Sequence, residues 1–323
     1  MIEVIKAGLE TSVQDFPGRW GHWEQGFPPS GPFDMWSFRM ANLLVGNSPD
    51  AAGLECQFSG PHLRFNQETT IALTGGVFNA KLDGKDIPQW ESIKVNKGQE
   101  LITGFAQKGA RGYLAFSGGI DAPLVLGSRS TFHLAGIGGI NGHALIDGGV
   151  IETFEGKQLH GAHVLEKYRP KLPAHKTWEI EVVRGPNDDW IDNIGHDIFF
   201  NSEWVLQTRS NRTGYRLTGP ELVFAKKARE KGLEHGEHPS NILDHGYPVG
   251  SVNLCGQTPI ILVSDGPSAG GFINPWTVPS ATFWKLAQSK PNDIYKFKEV
   301  SLNTAQEMRR KIDQICVEEN IST

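Results

Sequence analysis

Apolar and polar residues alternate in short runs along most of the chain, and each run ends at Gly, Pro, Asn or Asp. A period of two marks a half-buried strand, because successive side chains point to opposite faces. Ile2, Val4, Ile5 and Leu9 open the chain in this way. Ile71-Ala72-Leu73-Thr74 runs into Gly75-Gly76, and Tyr113-Leu114-Ala115-Phe116 ends at Ser117-Gly118-Gly119. Lys81-Leu82-Asp83-Gly84-Lys85 predicts a hairpin, since Asp-Gly supplies the two positive-φ positions of its turn. The pattern resumes at Trp178–Val183, and Pro259–Val263 reads as a core strand delivering the loop Asp265-Gly266-Pro267-Ser268-Ala269-Gly270-Gly271. Many short strands with regular turns predict a mainly β fold, a barrel or sandwich rather than an α/β sheet.

Two stretches change period. Asp34 is a good N-cap for a helix over Met35 to Val45, stopped by Gly46-Asn47. That helix is apolar nearly all round and is therefore expected to be buried. Its polar members Ser37, Arg39 and Asn42 then require partners, either within the fold or, for Arg39, in a ligand carboxylate. Residues 301–319 read as an amphipathic helix with Leu302, Ala305, Met308 and Ile312 on one face, which docks on the barrel and is also placed to hold a partner chain. Residues 155–176 are polar and interrupted by proline, the pattern of a linker. The expected division is a first β subdomain over 1–170, a second β-barrel subdomain over 176–298 and a helical tail over 299–323.

Length and composition narrow the class. At 323 residues the chain can bury a sizeable core in two domains. Its 31 basic and 36 acidic residues give a net charge of −5, which offers no footprint for nucleic acid or an anionic membrane. No apolar run approaches the ~20 residues of a membrane span, and Met1-Ile2-Glu3-Val4 does not open a signal peptide. Cys56, Cys255 and Cys316 have no paired spacing, which fits a reduced, cytoplasmic protein.

Several motifs invite chemistry. Gly266-Pro267-Ser268-Ala269-Gly270 matches a nucleophile elbow, but Gly271-Phe272-Ile273-Asn274-Pro275 will not form the helix that must come next. No histidine lies beyond His245 either, so a serine hydrolase is disfavoured. His235, His238 and His245 lie with Glu234, Glu237 and Asp244 in a glycine-bearing loop without the geometry of a helical zinc site. A solvated charged loop fits better, or His238 hydrogen-bonded beside a substrate. Gly136–Gly142 fits neither glycine fingerprint, and the residues after it read as strand. Asn211, Arg212, Tyr215 and Arg216 fall within six positions. They read either as loop cations beside a packed tyrosine or as a grip on a planar acid or amide.

The order of these motifs also carries a resemblance. His238-Pro239-Ser240-Asn241, then Gly246-Tyr247-Pro248-Val249-Gly250, Asp265–Phe272 and Trp284-Lys285-Leu286 resemble the carboxyltransferase region of urea carboxylase, the carboxylase half of urea amidolyase. The similarity is to its second half, long called allophanate hydrolase subunit 2, a family that includes the C subunit of 5-oxoprolinase and the antagonist of a sporulation-kinase inhibitor. It continues through Ser30-Gly31-Pro32-Phe33-Asp34, Ser37–Asn47, Leu54-Glu55, Gly60-Pro61, Leu126–Thr131 and Ser210–Pro220. His143 and Gly148-Gly149 depart from it, where the family usually has Arg and Gly-Asp.

The resemblance implies cyclophilin-like β-barrels and a carboxyl transfer from carboxybiotin to an amide nitrogen. Its expected catalytic residues are Asp265, Asn211 and Ser268, with Arg212, Tyr215, His238, Ser240, Asn241 and Arg39 binding substrate. Asp265 would accept from urea-like N–H groups, Arg212 with the Asn and Ser groups would hold the oxyanion, and Tyr215 would face the ureido ring. The chain has no phosphate loop and no Met-Lys-Met biotinylation site. Biotin is therefore expected on a partner subunit and ATP to be used by a partner. The expected partners are a first-half carboxyltransferase subunit, a biotin carboxylase and a biotin carrier. Two other readings stay open: the C subunit of 5-oxoprolinase, whose branch more often shows Thr-Thr-Gly-Gly-Tyr in this loop, and a regulator that binds a kinase inhibitor and catalyses nothing.

Overall fold

The alternating runs fold as strands. The computed structural model describes residues 1–323, and the chain divides into two units. The first holds Met1–Trp20, Pro29–Leu172 and Lys311–Thr323; the second holds Gly21–Pro28 and Pro173–Arg310. No helix is long and apolar enough to cross a membrane.

In the first unit, one sheet runs in the order Val150–Ile151, Ile2–Lys6, His62–Phe65, Glu100–Ile102, Lys81–Leu82, Lys85–Asp86. The other runs Glu10–Gln14, Gly53–Gln57, Ala106–Phe116, Thr69–Phe78, Ser92–Val95. Their core-facing residues, Val4, Leu54, Phe65, Leu73, Leu114 and Phe116 among them, form one cluster. The predicted hairpin is present, with Asp83 and Gly84 at φ 48° and 78°. The predicted helix spans Met35–Leu44; the Asp34 carboxylate accepts from the Ser37 amide at 2.9 Å and from its hydroxyl at 2.6 Å. Asn42 donates to the Ala51 carbonyl at 2.8 Å, and the Ser37 carbonyl accepts from Thr74 at 2.7 Å. The helix is buried, and its polar residues are answered from inside the fold.

Two buried acids organise the loops of this unit. Asp15 accepts from the Ser130 hydroxyl at 2.6 Å, the Ser128 hydroxyl at 2.5 Å and the Arg129 amide at 2.7 Å. The motif Leu126–Thr131 is thus a cradle for one carboxylate. Glu55 accepts from the Phe33 amide at 2.8 Å, the Tyr113 hydroxyl at 2.9 Å and Arg111 at 3.2 Å. The strand expected after Gly136–Gly142 is absent: residues 143–149 are turns, and the next strand is the short Val150–Ile151. Positive φ at Gly136, Gly138, Gly139, Asn141 and Gly142 coils the backbone there instead of extending it. Within 155–176, the Ala162 carbonyl accepts from Ser92, and His163–Val164 pairs with the final strand Ile321–Ser322.

The second unit is a closed barrel in the order Thr177–Arg184, Trp276–Thr277, Ser251–Cys255, Thr258–Leu262, Gly214–Thr218, Trp204–Leu206, Ile294–Glu299. Closure comes from the parallel pairing of Thr177–Arg184 with Ile294–Glu299. Phe199 fills the barrel's aromatic core, stacked on Trp276 at 3.6 Å and on Phe297 at 4.3 Å. It sits on a helix, Asn193–Asn201, which the sequence pattern did not mark; Asp192 caps it through the Gly195 amide at 2.7 Å. Between Trp276–Thr277 and Ile294–Glu299, the stretch that carries Trp284-Lys285-Leu286 forms a helix, Phe283–Gln288. It connects Trp276–Thr277 to Ile294–Glu299, which run in opposite directions, since the first pairs antiparallel and the second parallel with Thr177–Arg184. The C-terminal helix spans Leu302–Ile315, with Ala305 and Ile312 buried and Leu302 exposed.

The three cysteines differ sharply in access: Cys56 and Cys316 are buried and Cys255 is exposed. Burial, reinforced by the Glu55 charge, pushes the Cys56 thiol from 9.0 up to about 12. The native chain is expected to react with Ellman's reagent at one thiol, Cys255, and at three once unfolded; a second fast thiol in the native state would contradict this packing. A folded-state value above the unfolded one means that this contribution to stability is complete below pH 9 and is lost as pH rises from 9 towards 12. Denaturant midpoints measured across that window should fall, and less so in Cys56→Ala.

Candidate functional site

Two adjacent barrel strands deliver the candidate residues. Gly214–Thr218 pairs with Thr258–Leu262 in the register Gly214 to Leu262 and Tyr215 to Ile261. The residues just before Gly214 and just after Leu262 therefore emerge at the same end of the barrel. There the Asp265 amide donates to the Arg212 carbonyl at 2.8 Å, and the Val263 amide to the Thr213 carbonyl at 3.3 Å. The side chains repeat the link: Arg212 Nε meets Asp265 Oδ2 at 2.9 Å and Nη2 meets Oδ1 at 3.3 Å. Arg212 is 4% exposed and Asp265 5%, so the clasp is a two-point, desolvated ion pair. Such pairs fix geometry as well as contributing energy, because the planar fork matches the carboxylate.

The clasp holds two more polar groups in place without consuming them. Asn211 Oδ1 accepts from the Thr213 amide at 2.9 Å and the Gly214 amide at 3.4 Å, an Asx turn that orients the side chain. Its Nδ2 bonds nothing within the chain, and the residue is exposed. Three residues beyond Asp265, the Ser268 carbonyl accepts from Tyr247 at 2.7 Å, while the Ser268 hydroxyl has no partner in the chain and is half-buried. The loop then continues as a strand, Ala269–Phe272, paired with Asn241–Gly246. Gly270 is required there, since a Cβ would lie 2.8 Å from the Tyr247 ring. Tyr247 itself, carried by the Gly-Tyr-Pro-x-Gly motif, was not among the expected site residues. It braces the loop by accepting from the Phe272 amide at 2.7 Å, and burial raises its phenol above the ordinary range.

The other expected residues lie elsewhere. His238 Nδ1 bonds the Ser240 hydroxyl at 2.9 Å, and that hydroxyl also accepts from the Gly256 amide at 3.1 Å. Asn241 Oδ1 lies 3.5 Å from the same hydroxyl. Gly256 is in the turn before Thr258, whereas Asp265 comes after Leu262. At a rise of ~3.4 Å per residue the strand alone separates the two groups by about 14 Å. These polar residues, expected to serve one site, therefore form two clusters at opposite ends of one strand. Tyr215 belongs to neither rim: it is 3% exposed and alternates with exposed Arg216, so its ring points into the barrel. Arg39 lies in the first unit and is taken by the chain's own C-terminal segment, with Nη1 on Asp313 at 2.6 Å and Nη2 on the Cys316 carbonyl at 3.3 Å. The histidines of the glycine-bearing loop are bonded separately, His235 to the Leu243 amide at 3.2 Å and His245 to the Phe272 carbonyl at 3.0 Å.

The chain is mainly β, and one end of its closed barrel holds the clasp beside an unengaged amide. Residues 25–299 match the family model "Carboxyltransferase domain, subdomain A and B", and the chain is a member of that family. It is 41% identical to urea amidolyase of Lachancea kluyveri over 322 residues, which cover 96% of this chain and 17% of that protein. It is 34% identical to the 5-oxoprolinase C subunit of Escherichia coli over 98% of this chain and 97% of that protein. The crystal structure of Kluyveromyces lactis urea carboxylase superposes with a TM-score of 0.92 at 38% identity, over 100% of this chain and 30% of that one. The chain thus spans about a fifth of the urea amidolyases it matches.

Proposed function

We propose that this chain is the A/B part of the carboxyltransferase of a biotin-dependent, urea carboxylase-like enzyme, acting on a urea or amide nitrogen. What supports this reading is one end of the second unit's barrel, where the Arg212–Asp265 clasp stands beside two unengaged donors, the Asn211 amide and the Ser268 hydroxyl. Unengaged donors of this kind suit the carbonyl and carboxylate oxygens of a carboxylated ureido ring. Carboxybiotin, brought by a partner's carrier domain, would supply the activated carboxyl group. Asn211 and Ser268 would hold the oxygen on which negative charge develops, and they need no reorganisation because the turn and loop are already set. Asp265 has both oxygens on Arg212, so it acts as a positioning residue. The second cluster, His238 with Ser240 and Asn241, would bind a more distant part of the ligand. Biotin carboxylation and the ATP it uses belong to partner subunits, and the site is completed by a first-half carboxyltransferase subunit.

With those partners present, Asn211→Ala is expected to lower carboxyl transfer to urea by about 10²-fold, the usual loss for an oxyanion donor. Its melting temperature should fall only slightly, because the residue is exposed and what is lost is two hydrogen bonds of a surface turn. Unchanged turnover would reject the assignment. A second reading, the C subunit of 5-oxoprolinase, is favoured by the match over 97% of that protein's length. ATP-dependent turnover of 5-oxoproline in the presence of the A and B subunits, and none of urea with a biotin carrier, would select it.

A further inference from the structure

The first unit carries a cleft of about 820 Å³, within the range of small-molecule sites. It is walled in part by Val77, Trp90, Lys108, Glu166, Arg169 and Lys171, and so by the stretch that reads as a linker in the sequence. Three cations face one carboxylate there, in a chain whose net charge is −5. Elsewhere in the unit Arg64, Lys94 and Arg111 each meet a carboxylate. Lys108, Arg169 and Lys171 form no ion pair.

Arg169 is also built in. Its Nε and Nη2 donate to the Val164 carbonyl at 2.8 and 2.5 Å, and the Val164 amide in turn donates to the Trp90 carbonyl at 3.0 Å. The guanidinium carbon lies 5.8 Å from the Trp90 ring centroid. Trp90 is held at φ 62°, a region bulky residues rarely adopt and one that concentrates at ligand sites. Burial pulls the Arg169 pKa below the guanidinium range, against the opposing charges of Glu166 and Glu91. The side chain is partly desolvated, and the edge of its fork away from Val164 is unused. Lys108 is tethered over the same opening through the Leu172 carbonyl at 3.2 Å. Val77, 46% exposed, supplies an apolar wall.

We propose that this cleft binds a small molecule carrying a doubly charged oxyanion on a compact apolar body, a phosphate ester or a dicarboxylate. The free edge of the Arg169 fork takes two oxygens, Lys108 and Lys171 neutralise the remaining charge, and the body lies against Val77 and the Trp90 edge. The site lies in the unit that does not hold the Arg212–Asp265 clasp, so its failure and that of the carboxyl-transfer reading are separable.

Calorimetric titration of the full chain with phenyl phosphate, phthalate, inorganic phosphate and phenol tests it. Phenyl phosphate or phthalate should bind saturably, the stronger of the two naming the source, and more tightly than inorganic phosphate. Arg169→Ala should weaken binding by about 10-fold or more, as should the double variant Lys108→Gln/Lys171→Gln, whose side chains are exposed and whose fold is unaffected. Added salt should weaken binding throughout. The proposal is overturned if neither dianion binds, if phenol binds as tightly as phenyl phosphate, or if the double lysine variant binds unchanged.

Discussion

Arg212→Ala is expected to destabilise the second unit by about 3–5 kcal/mol, the loss typical of breaking one side of a buried ion pair. The reason is the charge left behind. Asp265 is 5% exposed, both of its oxygens lie on the guanidinium, and solvent cannot replace it. Asp265→Ala should cost a similar amount, because Arg212 would then be the buried, uncompensated charge. The double variant Arg212→Met/Asp265→Leu should recover much of the loss, since it removes both charges and keeps the volume. Denaturant unfolding of the four proteins gives the coupling directly. A loss below about 1 kcal/mol in both single variants would mean that the pair is solvated and that the clasp does not fix the loops. Carboxyl transfer should fall in both single variants together with the Asn211 turn they anchor, whereas Asn211→Ala should reduce transfer with little loss of stability.

Glu55→Ala should destabilise the first unit by a similar amount, about 3–5 kcal/mol. Glu55 is 3% exposed and faces Arg111, which is 1% exposed and stacks over Phe33 at 4.7 Å. Its second oxygen accepts from the Phe33 amide and from Tyr113, whose hydroxyl in turn accepts from the Asp34 amide at 2.7 Å. One carboxylate thus ties two strands to the start of the helix Met35–Leu44. Burial, and after it the Glu55 charge, holds the Tyr113 phenol well above its ordinary range. Glu55→Gln keeps the shape but not the charge, so it should fall between wild type and Glu55→Ala in thermal and denaturant unfolding. Equal stability of Glu55→Ala and wild type would show that Arg111 finds another partner.

Both of these centres were half-visible in the sequence. Leu54-Glu55, Ser30–Asp34 and Ser210–Pro220 stood out as motifs, yet nothing local said that the acid at 55 answers the arginine at 111, or the arginine at 212 the acid at 265. The Asp34-capped helix and the Asp83-Gly84 hairpin were legible because capping and turn geometry depend on residues a few positions apart. The helices Asn193–Asn201 and Phe283–Gln288 were not. Their aromatic residues have little intrinsic helix preference, and tertiary packing overrides it: Phe199 stacks on Trp276 and Phe297, and Phe283 and Leu286 are buried. The separation of His238, Ser240 and Asn241 from Asp265 comes from strand register, which the order of motifs along the chain does not encode.

Period-two patterning, the caps and the turn residues were enough to specify a mainly β chain with a buried helix near residue 40, because backbone preference and side-chain direction act over a few residues. Which charges would meet was decided only by folding. Arg39 finds Asp313 across 274 positions of sequence and leaves no room for the ligand carboxylate that its chemistry suits. A buried ion takes whichever opposite charge the topology places beside it, because leaving it unpaired would cost a large share of the chain's net stability.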